Sequence, residues 1–154
     1  MSRQRLFCDE MLRRLGRWLR AAGYDTEIAA DGLADSAILE RAKAERRLLL
    51  TRDRRLAAAA GAEVAVRLLA ATTLAEQAAE LKRGAGIDWL ASPFTRCLVD
   101  NTPLRPAAAD ELSRLPEKAR ALAGPMRLCP ECGRLYWPGS HVRRMEARLQ
   151  EWAR

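Results

Sequence analysis

From residue 5 to about residue 90 the chain changes its hydrophobic period every few residues. The short apolar runs "RLFC", "YDTEIAA", "RLLLT" and "EVAVRLL" are separated by the segments "EMLRRLGRWLRAAGYD", "DSAILERAKAERR" and "RRLAAAAGA", and "TTLAEQAAELKRG" follows the last of them. The runs predict strands and the segments predict helices. In the first segment Met11, Leu12, Leu15, Trp18, Leu19 and Ala22 recur at helical spacing, and Gly23 is a natural stop. Asp35 or Ser36 is the expected N-cap of the second helix, Thr72 or Thr73 that of the fourth. Strands alternating with helices imply right-handed crossovers and an α/β fold with a mainly parallel sheet flanked by helices.

The alternation then stops. All seven prolines lie at Pro93 or beyond, with three of the four cysteines. This shift predicts two units, residues 1–90 and 91–154, divided near residues 88 to 94. The second unit ends in "HVRRMEARLQEWAR", a candidate helix with Val142, Met145, Leu149 and Trp152 on one side. No internal repeat is evident.

Two short stretches of the second unit bear on metal chemistry. "LCPECGRLYW" holds Cys129 and Cys132 in the Cys-x-x-Cys spacing that grips zinc. A zinc ribbon needs two such knuckles. "RCLVDNTPL" offers Cys97 but has Asp100 where the second thiol would stand. Zinc accepts carboxylate oxygen as well as thiolate, so Cys97, Asp100, Cys129 and Cys132 form a reasonable, weaker set. His141 or water is the alternative fourth ligand, and loss of zinc a third outcome. Cys8, inside the first strand, reads as a small core residue.

The acids of the first unit suggest a second kind of metal. Asp9 and Asp53 directly follow apolar runs, and the C-terminal ends of parallel strands share the edge where ligands bind. Asp35, and Asp31 beside it, follow the second run. Carboxylates gathered there repel each other, and a hard cation such as Mg²⁺ or Mn²⁺ relieves that repulsion. Such an ion can activate water against a phosphodiester. The plain alternative is that these acids are helix caps. Arg13, Arg17 and Arg20 share one helix face by their spacing, and Arg52 flanks Asp53. They are candidate phosphate contacts, or else a solvated surface.

A formal charge of +7, divided +3 over residues 1–90 and +4 over 91–154, admits a phosphate-bearing partner such as RNA. No apolar run is long enough for a membrane span, and the N-terminus lacks a signal-peptide pattern. Those features, with metal-type cysteine spacing, suit a soluble cytoplasmic protein.

"FCDEMLRRLGRWLRAAGYDT", "RRLLLTRDRRL", "FTRCLVDNTPL" and "CPECGRLYWPGSHVRRM", in that order, resemble the Mut-seven C-terminal RNase domain family. The resemblance implies a PIN-like nuclease domain followed by a small zinc-ribbon-like module, and a metal-dependent ribonuclease. Asp9 and Asp53 fall on the family's motif acids. Asp35, and Asp31 less directly, fall in the acidic stretch between them, and Arg17 and Arg20 in its Arg-rich helix. Asp100 departs from the pattern, which has cysteine there. "GSH" belongs to the family's motif even with four cysteines, so His141 is not a compensation. The rival readings are a non-catalytic module that binds RNA or protein, and a phosphatase of small phosphate compounds.

Overall fold

A computed structural model of the chain describes residues 3–154. Four parallel strands form the main sheet: β1 (Leu6–Cys8), β2 (Thr26–Ile28), β3 (Leu48–Thr51) and β4 (Val66–Leu68). Their order is β2-β1-β3-β4, with Cys8 level with both Ile28 and Leu50. The helices between them are α1 (Arg13–Ala21), α2 (Asp35–Ala44) and α3 (Arg54–Ala59), and α4 (Leu74–Ala85) follows β4. The α/β class read from the alternating periods is the one observed.

Side chains alternate across the sheet, as pleating requires. Leu6, Cys8, Leu48 and Leu50 enter one core with residues of α1 and α4. Phe7 and Leu49 enter the other, with Ile38, Ala42 and Leu56 from α2 and α3. Continuous burial of β1 and β3 is what a parallel sheet covered on both faces demands.

Residues 91–154 add α5 (Ala109–Leu112), α6 (Glu117–Arg120) and the long α7 (Ser140–Ala153). They also add a small antiparallel sheet, β5 (Arg105–Pro106), β6 (Arg127–Leu128) and β7 (Leu135–Tyr136). The first core does not stop at residue 90. Cys97, Leu98, Cys129, Tyr136, Met145, Leu149 and Trp152 all belong to it. Trp152 of α7 meets Trp18 and Trp89 edge-on, with ring centroids 4.8 and 5.0 Å away. The C-terminal carbonyls of α1 are also closed from beyond residue 90, since Ala22 accepts from Ser92 N–H and Ala21 from Phe94 N–H. Gly23 permits this approach. Its φ is +100°, and a Cβ there would meet Ser92 O at 2.4 Å.

Two local expectations need correction. Met11 does not join the helix face: residues Glu10–Leu12 form a 3-10 turn ahead of α1, and Met11 is 67% exposed. The N-cap of α2 is Ala34, with Asp35 the first helical residue, so neither Asp35 nor Ser36 caps it. Thr73 does cap α4, accepting from Glu76 N–H.

Candidate active site and metal centre

The strand order reverses between β1 and β3. From β1 the chain steps out to β2, returns past β1 to β3, and continues to β4. The crevice at the C-terminal ends of two such strands is where open α/β sheets bind ligands. Asp9 directly follows β1 there, and Thr51 ends β3. Asp9 N–H bonds Leu50 O across the pair at 3.2 Å.

A short polar chain links the two strand ends. Asp9 Oδ2 accepts from the Thr51 hydroxyl, and Thr51 Oγ1 accepts from Asp53 N–H at 2.9 Å. Both acids also cap. Asp9 Oδ1 accepts from Met11 N–H, and Asp53 Oδ1 from Arg55 and Leu56 N–H. Asp53 Oδ2 forms no hydrogen bond among the described residues. Asp9 is only 5% exposed. Burial pushes its carboxyl up from the ordinary range, and the Asp53 charge adds to that, against hydrogen bonds from Thr51, Leu12 and Met11. Thr51, unremarked in the sequence, is the residue that ties the acids together. A hydroxyl at a strand end gave no signal of its own.

None of the other candidates hydrogen-bonds or ion-pairs with either acid among the described residues. Asp35 is exposed at the start of α2. Asp31 forms a solvent-exposed ion pair with Arg13. Arg17 is exposed, and no side-chain hydrogen bond or ion pair engages it among the described residues. Arg52 is half-buried, and its Nε has no hydrogen-bond partner. Arg20 is a correction. It is 5% exposed, and its guanidinium donates to Thr26 O, Leu98 O and Val99 O at 2.8 to 3.0 Å. Helical spacing put Arg20 with Arg13 and Arg17, but residues 97–101 cover the end of α1 and enclose it. It is a structural residue, not a phosphate contact.

The second site is more tightly drawn. Residues 97–101 and 129–133 are two turns of the same geometry. Asn101 N–H bonds Cys97 O, and Gly133 N–H bonds Cys129 O. Cys97 N–H bonds Thr102 O, and Cys129 N–H bonds Arg134 O. Asn101 and Gly133 share a left-handed φ, +72° and +76°. Asp100 thus occupies in the first turn the place of Cys132 in the second. One amide of Asn101 holds the first turn onto the sheet edge. Its Oδ1 accepts from Thr26 N–H, and its Nδ2 donates to Asp25 Oδ1.

The Sγ atoms of Cys97, Cys129 and Cys132 and a carboxylate oxygen of Asp100 all lie within 4.8 Å of one another. Among the described residues no other group of three or more His, Cys, Asp or Glu converges this closely. Cys97 Sγ and Cys132 Sγ are 3.7 Å apart, and Cys129 Sγ is 3.4 Å from Asp100 Oδ1. Tetrahedral zinc, with bonds near 2.3 Å to sulfur and 2.0 Å to oxygen, needs edges of about 3.8 and 3.5 Å. The donor set and its spacing therefore fit a metal such as zinc. Asp100 is ready to ligate as a carboxylate. Although burial works against the charge, the Thr102 N–H and the thiols hold its pKa down to about 2. His141 is outside the cluster.

The family described as the Mut7-C RNAse domain matches residues 4–149. No curated protein and no solved structure matches the chain. No helix among the described residues is long and apolar enough to cross a membrane. The match spans both the sheet with its Asp9–Thr51–Asp53 edge and the paired turns with their Cys/Asp cluster, and the chain belongs to the Mut7-C RNAse domain family.

Proposed function

We propose that the chain is a metal-dependent ribonuclease whose acidic site is built on Asp9 and Asp53. Family membership suggests RNA cleavage. The observation that carries the finer reading is the Asp9–Thr51–Asp53 chain at the sheet's switch point. The carboxylates of Asp9 and Asp53 offer oxygen ligands, which suits Mg²⁺ or Mn²⁺. Mg²⁺ is commonly held through one or two carboxylates, with waters and substrate phosphates completing its shell, so a closed cage is not required. When bound, the ion supplies a water made nucleophilic at neutral pH and neutralises charge on the phosphate.

The chain's own residues do the rest. Thr51 fixes one oxygen of Asp9, so that carboxylate is held in one orientation. Asp53 keeps Oδ2 free for a ligand. Asp35 completes the acidic set as a third, outer carboxylate. Arg17 and Arg52 hold the RNA backbone, with Arg13 available when its exposed pair with Asp31 opens. In the second unit, Cys97, Asp100, Cys129 and Cys132 hold one zinc ion that fixes the two turns together.

Cleavage of RNA by purified protein in Mn²⁺, with Asp9→Asn in parallel, tests the reading. Cleavage by the parent and none by the variant supports it. Binding without cleavage by both favours the reading in which the acids only cap. Release of phosphate from small esters, with RNA intact, favours the phosphatase.

A further inference from the structure

A cavity of about 250 Å³ lies where α1, the first metal turn, β7 and the first turn of α7 meet. Apart from Arg17, its lining takes no part in the chemistry proposed above. Arg17, Arg134 and His141 contribute to its lining, which includes no Asp or Glu. None of these three side chains has a hydrogen bond or ion pair among the described residues, and all three are exposed. The lining thus attracts an anion and holds no internal counter-charge. The start of α7 adds to this. Gly139 provides no side-chain cap there, so the helix's first N–H groups remain uncommitted.

The remaining wall is aromatic and apolar. Trp137 lines the cavity, and its indole N–H has no partner among the described residues. Tyr136 beside it is fixed, because its hydroxyl bonds both Cys97 Sγ and Leu98 N–H. A bare phosphate would leave that wall unused. Clefts for small organic ligands run from about 300 Å³ upward, so this one suits a compact ligand. A flat ring with an attached phosphate matches both halves of the lining.

The cavity is not isolated. Arg17, Leu98 and Val99 also line a second cleft, which extends to Arg13 and to Ala29 and Ala30 just past β2. Asp9 stands on that same sheet edge, since Ala29 N–H bonds Cys8 O immediately before it. The two clefts thus share Arg17, Leu98 and Val99, and the second ends beside the sheet edge that carries Asp9.

We propose that this cavity seats one unpaired nucleotide of an RNA strand, its base against Trp137 and its phosphate by Arg17 and Arg134, while the strand runs on to the acidic edge. The proposal deepens the ribonuclease reading and rests on it for the strand's destination. It commits the substrate to single-stranded RNA, because a paired base has no free face to offer Trp137.

The test uses the full zinc-loaded chain carrying Asp9→Asn, without Mg²⁺ or Mn²⁺, and a fluorescently labelled short single-stranded RNA. Trp137→Ala should weaken binding about tenfold, the range for loss of one stacked base. Arg134→Glu and His141→Ala alter exposed side chains and keep the test open should Trp137→Ala fail to fold. Arg134→Glu should weaken binding severalfold and reduce the salt slope by about 0.7 or more. Unchanged affinity in Arg134→Glu and His141→Ala overturns the proposal. So does equal affinity for duplex RNA, or binding of adenosine monophosphate with no binding of the strand. A separate arm follows cleavage of single-stranded RNA by protein with Asp9 intact. Arg134→Glu should slow cleavage of strands long enough to occupy the cavity. Equal rates on those strands would overturn the proposal, whereas absence of all cleavage would overturn only the acidic-site reading, because binding is measured without it.

Discussion

Tyr136 donates its phenolic hydrogen to Cys97 Sγ at 3.2 Å and accepts from Leu98 N–H at 2.9 Å. One hydroxyl thereby serves a metal-ligand candidate and a buried backbone donor, while its ring forms part of the cavity wall. Burial and the Cys97 thiol hold its pKa well above the ordinary phenol value, so it remains a donor at neutral and mildly alkaline pH. Tyr136→Phe strands the Leu98 N–H and should cost about 1–3 kcal/mol in urea unfolding. It should also shorten zinc retention against a chelator, since hydrogen bonds to a ligand tune its hold on the metal.

Asp100 is expected to set how firmly a zinc ion in this cluster is held. Purified protein should carry about one zinc per chain, as a single four-ligand site requires. Asp100→Cys should retain zinc longer in a chelator competition, because thiolate suits this borderline-soft ion better than carboxylate. Stripping the metal should loosen residues 97–101 and 129–133 first, read as faster amide exchange at Asn101 and Gly133, since metal binding is coupled to the folding of such turns.

Asp9 is expected to trade stability for activity. Its carboxyl pKa is raised in the folded state, chiefly by burial, so its charged form is disfavoured by folding. The cost is full above the folded pKa and disappears as pH falls below the ordinary carboxylate value. Asp9→Asn should therefore abolish cleavage while raising stability at neutral pH. The gain should shrink as pH drops through the raised pKa. Urea midpoints of Mg²⁺- and Mn²⁺-free protein from pH 7 to pH 3 would show it.

Arg17 and Arg20 should separate cleanly. Arg20→Ala removes a buried guanidinium and strands three carbonyl oxygens, at a cost of about 3 kcal/mol. Arg17→Ala should leave stability within about 0.5 kcal/mol. It should instead lower the salt slope of RNA binding by about 0.7 for each phosphate left without its cation. Paired denaturation and binding titrations on the two variants distinguish a structural arginine from a binding one.

The sheet was legible in the sequence because its signal is local. Apolar runs such as "LLLT" and helical repeats such as that of α4 each declare themselves within a dozen residues. The edge acids were legible for the same reason: Asp9 and Asp53 stand right after strands. Thr51 was not, because a hydroxyl in an apolar run carries no chemistry until its neighbour across the sheet is known. Arg20 misled because helix spacing predicts which residues share a face, not which part of that face a distant segment will cover. The two knuckles were paired by their spacing, but the hydrogen bonds they share and the left-handed φ of Asn101 and Gly133 were not legible, because those two residues do not look alike in sequence. The Cys/Asp cluster itself was readable from spacing alone.

The meeting of Trp18, Trp89 and Trp152 has a kinetic consequence. Trp18 follows the first strand, and Trp152 lies on the last helix, so their contact closes almost the entire chain into a loop. Closing so long a loop costs entropy before burial repays it, and contacts of that separation slow folding. Until α7 arrives, Trp18 and Trp89 lack the partner that covers them in the finished core. Refolding should thus end in a slow docking step within the chain, and tryptophan fluorescence would report it directly. A fragment of residues 1–90 would stall before that step with indole rings facing water, prone to associate with other copies.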